Sequence, residues 1–372
     1  MTDHKDIRPF IVMIFMPGLW FCLLLAAVMA VVIAGLIDMV CLWITNSPKT
    51  DKLSILIMLS GVYCAVLILW QGRRFFKSPR TKCHAVRIEP EGAPELFKSI
   101  KEVCDKLSTP MPDNVLVAFS ADFLVTEAKV TAFDGNYEGR TLCLSTPLMC
   151  FLGIEELQAI IAHELAHFTG EDTVYSREFY PIYEVTINAL HKMDEEEGIL
   201  IEFLLYLPRI IIAEYLCIFS GIERRISRKR EFRADTIAAD IISPEQMSSA
   251  LVIAEVYGRL WPHAFEQIFV SLLQEGKRPA NYLRAFANNF STDPCLEKFA
   301  QEALTQGTGA FDSHPTLKER LGKLGQEYSP IRNDELKKTA IDMLVDRQGI
   351  EESLTAFEIL LFKFSKGEGY VT

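Results

Sequence analysis

The five residues His163-Glu164-Leu165-Ala166-His167 bring two imidazoles and a carboxylate together at the spacing that zinc hydrolysis requires. In a helix, side chains four apart project from one face, so His163 and His167 can hold one metal ion between them. Glu164 follows the first histidine directly and sits at the edge of that face. There it can reach a water at the metal and act as its general base.

A catalytic zinc takes three protein ligands and keeps a further position open. The next candidate ligand lies downstream, in Glu231-Phe232-Arg233-Ala234-Asp235. On a helix Glu231 and Asp235 share a face, so Glu231 can bind the metal while Asp235 hydrogen-bonds the outer nitrogen of a ligating imidazole and fixes its tautomer. Alone, such a pair is usually a solvated helix face; downstream of two paired histidines it gains weight.

The segment that must carry the histidines reads as a helix. Leu157, Ile160, Ile161, Leu165 and Phe168 recur close to a 3.6-residue period, Glu155 and Glu156 fall in the first turn, and Gly170 is placed as a stop. A core helix that carries two histidines by accident is the plain alternative. With seven histidines in 372 residues, however, a chance H-E-x-x-H arises in roughly one such sequence in a hundred.

Ahead of this helix, the run Ile11–Leu36 has no acidic or basic side chain and Leu53–Trp70 has none either. Both reach the roughly 20 apolar residues that cross a hydrocarbon core. The short polar link Asn46–Lys52 suits the turn of a hairpin. A secretory leader fits less well, since the first run is too long, lacks a small-residue cleavage site and is followed by a second span. Arg73, Arg74, Lys77, Arg80 and Lys82 follow the second run, Lys5 and Arg8 precede the first, and the link holds only Lys49 and Lys52. This imbalance predicts two transmembrane helices with both ends, and the H-E-x-x-H helix, on the cytoplasmic side.

Between the membrane runs and the metal helix, the pattern predicts an amphipathic helix over Ala93–Leu107, a turn at Pro110–Asn114, and β-rich pieces at Val115–Phe119, Phe123–Val130 and Thr141–Leu144. The loop Asp134–Gly139 has the chemistry to join the last two as an antiparallel pair. Thr141–Leu144 is read either as an edge strand that an extended substrate could lengthen or as an ordinary internal strand. A third apolar stretch, Ile199–Phe219, contains Glu202, Pro208, Arg209 and Glu214, which favours a buried or interfacial helix over a full crossing. The basic run Glu223–Arg230 after it suits a solvated face or an anionic leaflet.

The net charge of −11 argues against a nucleic-acid binder. Nine cysteines without C-x-x-C pairing suit a reducing compartment rather than a disulfide framework.

Taken together, the H-E-x-x-H core, the following Asp172, Glu231-x-x-Ala234-Asp235, Ser313-His314-Pro315 and Arg320-Leu321 resemble the HtpX-type integral-membrane zinc metallopeptidases. That family also holds the CAAX prenyl endopeptidases and the mitochondrial Oma-type protease. The resemblance covers Pro110 to Leu324. It implies one zinc per chain held by His163, His167 and Glu231, with Glu164 as general base and Asp235 orienting His163. It further implies that Asp172 buttresses the metal helix and that His314 hydrogen-bonds the developing oxyanion. One departure concerns an Asn-Ala pair that the family carries just before the strand leading to the metal helix. Here Thr126-Glu127-Ala128 and Thr131-Ala132 stand nearest, without the asparagine.

The expected fold class is α+β: a mostly helical, zincin-like catalytic domain with a small antiparallel sheet, preceded by a two-helix transmembrane hairpin. The expected division is a membrane anchor over 1–78, a peptidase domain over 79–328 and a helical tail over 329–372. The expected protein is an endopeptidase of the bacterial inner membrane, acting on protein or peptide substrates and possessing a lipid-bilayer anchor, with a role in membrane-protein quality control. A catalytically inactive zinc-binding adaptor or chaperone is the alternative at this point.

Overall fold

The computed structural model describes residues 8–45, 51–72, 80–168, 186–290, 295–305, 315–331 and 338–365. The chain forms two compact units, one of residues 1–79 with 174–225 and the other of residues 80–173 with 226–372.

In the first unit, helices α1 (Arg8–Thr45) and α2 (Asp51–Gly72) pack together. Their segments Pro17–Ile44 and Lys52–Trp70 are long and apolar enough to cross a membrane. Ala26, Ala27, Ala30 and Ala34 are buried on α1, and a Cβ added at Gly61 would fall 2.6 Å from that of Ala34, so the two backbones approach closely. Trp20, Phe21, Leu24, Leu59 and Trp70 remain exposed, an outward surface that only an apolar surrounding would cover. The helix containing Ile199–Phe219 buries Leu204, Leu205, Ile212, Tyr215 and Phe219, with Tyr215 beside Gly18 of α1. Its other side exposes Phe203, Tyr206, Leu207, Ile210 and Ile218. Just ahead of it, the Tyr63 hydroxyl of α2 donates to Glu196 at 3.0 Å.

The second unit is built on two small sheets. One contains β1 (Arg80–Lys82), β5 (Lys129–Thr131) and β6 (Asn136–Tyr137) in the order β1-β5-β6. The other contains β2 (Ala85–Arg87), β3 (Asn114–Ala118), β4 (Leu124–Thr126) and β7 (Thr141–Ser145) in the order β2-β3-β7-β4. Its outer pairs are antiparallel, whereas the central β3–β7 pair is parallel, in register from Asn114 with Thr141 to Ala118 with Ser145. Alternation divides the buried β3 and β7 side chains between two faces. Val115, Val117, Leu142 and Leu144 enter the main helical core, while Leu116, Ala118 and Cys143 enter a smaller core with Cys83, Ala85 and Val130.

One expectation changes here and one open alternative is decided. Phe123–Val130 is broken into β4 and β5, which belong to different sheets. Thr141–Leu144 is not an edge strand, because β7 is hydrogen-bonded to β3 on one side and to β4 on the other. The edge strands of this sheet are β2 and β4.

Helices cover the main face of the sheet. The amphipathic α3 (Pro94–Leu107) buries Leu96, Ile100, Val103 and Cys104, starts at a proline and ends at Ser108 in the left-handed region, φ 53°. Ser145 caps the short α4 (Thr146–Met149), which leads to α5 (Ile154–Ala166), and α6 (Ile199–Ile241) and α7 (Pro244–Ala264) follow. After α8 (Tyr282–Phe290) and α9 (Cys295–Thr305) come α10 (Leu317–Lys323) and α11 (Arg347–Ser365).

Candidate metal centre

Helix α5 is seated from both directions. Leu157, Ile161 and Leu165 are fully buried against the main core. At its start, Glu156 accepts a hydrogen bond from the Gly153 backbone N–H at 2.5 Å and another from the Ser249 hydroxyl of α7 at 2.6 Å. Ala340 N–H donates to Leu152 carbonyl at 2.8 Å, and Thr339 bridges to Gly153. Residues beyond Tyr328 therefore help fix the origin of the helix that carries the histidines.

His163 lies in the last turn of α5 and His167 is its C-cap, still in the right-handed helical region. The two rings stand nearly perpendicular, at 88°, with centroids 5.0 Å apart. The carboxylate opposite comes from α6, where Ser227, Glu231, Ala234, Asp235 and Ala238 form one buried stripe at helical spacing. Glu231 Oε2 lies 3.5 Å from His163 Nε2, and Oε1 lies 3.6 Å from His167 Nε2. Ligand atoms from these three residues all fall within 4.8 Å of one another. Two donors on a tetrahedral zinc, each about 2.0–2.1 Å from it, would be separated by about 3.3–3.4 Å, close to each imidazole–carboxylate distance, the two lying on different oxygens of Glu231. The borderline-soft N/N/O donor set also suits zinc.

Asp235, wholly buried, places Oδ1 2.9 Å from His163 Nδ1. That contact belongs on the nitrogen facing away from Glu231 and leaves Nε2 for a cation. Burial opposes protonation of His163, but the carboxylates of Asp235 and Glu231 outweigh it and hold the imidazole up to about 10. Binding a cation there releases a proton.

Arg320 of α10 completes the arrangement. Its Nε donates to Asp235 Oδ2 at 2.8 Å and its Nη2 to Oδ1 at 2.6 Å, while Nη2 lies 3.8 Å from Glu231. Burial would raise the Asp235 carboxyl, yet the guanidinium keeps it below its ordinary value. Burial likewise works against the Arg320 charge, and Asp235 more than restores it. Helix α10 is itself fixed by a Thr316–Glu319 capping box and by Arg228 of α6, which donates to Glu319 at 2.5 Å.

The structure thus brings together His163, His167, Glu231 and Asp235, with Glu164 half-buried beside His163 on α5. Asp172 and His314 lie outside the described residues, as does Ser313. The sequence alone gives Arg320 no role beyond its place in the Arg320-Leu321 motif. A signal was present: Arg320 falls between Leu317 and Leu321 on the buried side of α10, where a charged residue needs a partner.

The sequence pattern of Peptidase family M48 matches residues 90–327. A protease HtpX homologue of Gemmatimonas aurantiaca is 25% identical over 215 residues, covering 56% of this chain and 74% of the relative. One from Ralstonia nicotianae is 27% identical over 224 residues, covering 58% and 74%. Protease HtpX of Idiomarina loihiensis is 23% identical over 220 residues, covering 52% and 68%. No solved structure matches the chain.

Proposed function

The chain belongs to peptidase family M48 and is a metalloprotease by that membership; from this premise we propose a membrane-anchored, zinc-dependent endopeptidase in which His163, His167 and Glu231 hold the ion. The observation that carries the reading is the convergence of the two Nε2 atoms on the two oxygens of Glu231, at 3.5 and 3.6 Å.

When bound, zinc would acidify a water to near neutral pKa and polarise the scissile carbonyl. Glu164 takes the proton of the attacking water on its carboxylate and delivers it to the leaving amine nitrogen. Asp235, held by Arg320, keeps His163 in the tautomer that presents Nε2. An extended peptide adds along β4, the outermost strand among the described residues on that side of the sheet, using backbone hydrogen bonds. The reading retains Asp172 as a buttress of the metal helix and His314 as a donor to the oxyanion, on the strength of the family pattern alone. It also retains the bacterial inner membrane as the location, with a cytoplasmic catalytic unit and a role in membrane-protein quality control, from the distribution of Lys and Arg and the kind of relative matched.

The purified full chain in detergent, assayed on casein and for self-cleavage, tests the reading. Chelation should abolish cleavage and added zinc restore it. Cleavage that persists in a preparation freed of metal would refute it.

A further inference from the structure

We infer that Cys83 and Cys143 form a redox-responsive dithiol inside the catalytic unit, a site that reacts with a peroxide to become a disulfide. The two sulfurs lie 2.9 Å apart. That is closer than unbonded sulfurs normally sit and within reach of the about 2.05 Å of a disulfide by a small side-chain movement. Both thiols are free. Cys83 precedes β2 and is held in place by its own backbone, whose N–H donates to Thr131 carbonyl at 2.9 Å. Cys143 lies at the centre of β7, with Leu116 on one side and Leu124 on the other.

Their setting separates them from the remaining cysteines. They share the smaller core with Ala85, Leu116, Ala118 and Val130, on the sheet face away from the metal helix, so the pair takes no part in the zinc site. Both are buried, Cys143 at 2% exposure and Cys83 at 9%. The contact between the two sulfurs, aided by the neighbouring His84 and opposed by burial, lowers the Cys83 thiol, while the same contact and burial raise that of Cys143. Cys83, the more exposed of the two, is the thiol that meets the oxidant, and Cys143 is the one that resolves it.

Hydrogen peroxide is the co-reactant. The Cys83 thiolate attacks one peroxide oxygen, the O–O bond breaks, and the departing hydroxide takes up a proton to leave as water, giving a sulfenic acid. The Cys143 sulfur then attacks the sulfenic sulfur, its proton leaves with the expelled hydroxide as a second water, and the S–S bond forms. The two cysteines lose two electrons and peroxide gains them. The new bond closes a loop over 60 positions and ties the start of β2 to β7, the strand that runs into α4 and α5. By restricting the unfolded chain it stabilises the unit.

The test uses the full chain in detergent, reduced without oxygen, treated with stoichiometric peroxide, alkylated under denaturing conditions and mapped by mass spectrometry. Wild-type protein should yield a linked Cys83–Cys143 peptide and melt at a higher temperature than its reduced form. With Cys143→Ser, Cys83 should be trapped by dimedone as sulfenic acid. The proposal is overturned if both wild-type cysteines stay fully alkylatable under a peroxide dose that oxidises added glutathione, or if either pairs instead with another cysteine.

Discussion

Arg320 grips Asp235 through two nitrogens, at 2.8 and 2.6 Å, and the oxygen it shares with His163 lies 2.9 Å from that imidazole. A guanidinium, a carboxylate and a candidate zinc ligand therefore form one continuous, largely buried chain. The guanidinium and the His163 imidazole both favour the charge on Asp235.

Arg320→Met should leave the buried Asp235 charge unpaired, at a cost on the order of 3–5 kcal/mol, and lower zinc affinity about 10–100-fold. Arg320→Lys should recover only part, because an ammonium cannot engage both oxygens in the same fork. Chelator competition and denaturant melts check this. Unchanged zinc affinity in Arg320→Met would remove the arginine from the account.

Purified protein should contain close to one zinc per chain. His163→Ala and His167→Ala should lose most of it, and Glu231→Ala should bind it severely more weakly, whereas Asp235→Asn should cost about 10–100-fold. Elemental analysis decides, and full zinc in Glu231→Ala would mean that the third ligand is another residue.

His84 Nδ1 meets Glu358 of α11 at 2.5 Å, and that hydrogen bond raises the imidazole above its ordinary value. A raised folded value means stability fully present below about pH 6.5 and lost as pH climbs through the folded value. The melting temperature of His84→Ala should therefore fall further below wild type near pH 6 than near pH 9. Equal differences at both would exclude the linkage.

Membrane topology predicts that an impermeant maleimide added outside labels a cysteine at Pro48 but spares Glu197→Cys and Ile222→Cys. Labelling of residue 197 from outside would show that Ile199–Phe219 crosses completely. The buried stripe from Leu204 to Phe219, with Tyr215 beside Gly18 of α1, favours a helix embedded beside the anchor.

The metal helix and both apolar N-terminal helices were legible because each is written in local periodicity or composition. Glu231 and Asp235 were legible because the four-residue spacing survives on α6 as one buried stripe. Strand pairing was not. The parallel alignment of β3 with β7 joins residues from Asn114 to Ser145 across an intervening second sheet, so nothing local to Thr141–Leu144 distinguishes a central strand from an edge. Arg320 is recognisable in its motif, but its contact with Asp235 is not legible, because that partner lies 85 positions earlier. The seating of Gly153 by Thr339 was hidden for the same reason: both are unremarkable until the fold brings them together.

The most direct measurement is proteolysis by Glu164→Gln in the full chain, with zinc content determined on the same sample. The amide keeps the shape of the carboxylate and leaves the three ligands intact, yet it cannot accept a proton. Retained zinc with turnover reduced by several orders of magnitude is the predicted result. Substantial residual turnover in a pure, zinc-loaded preparation would contradict the assignment of Glu164 as the base and, with it, the mechanism.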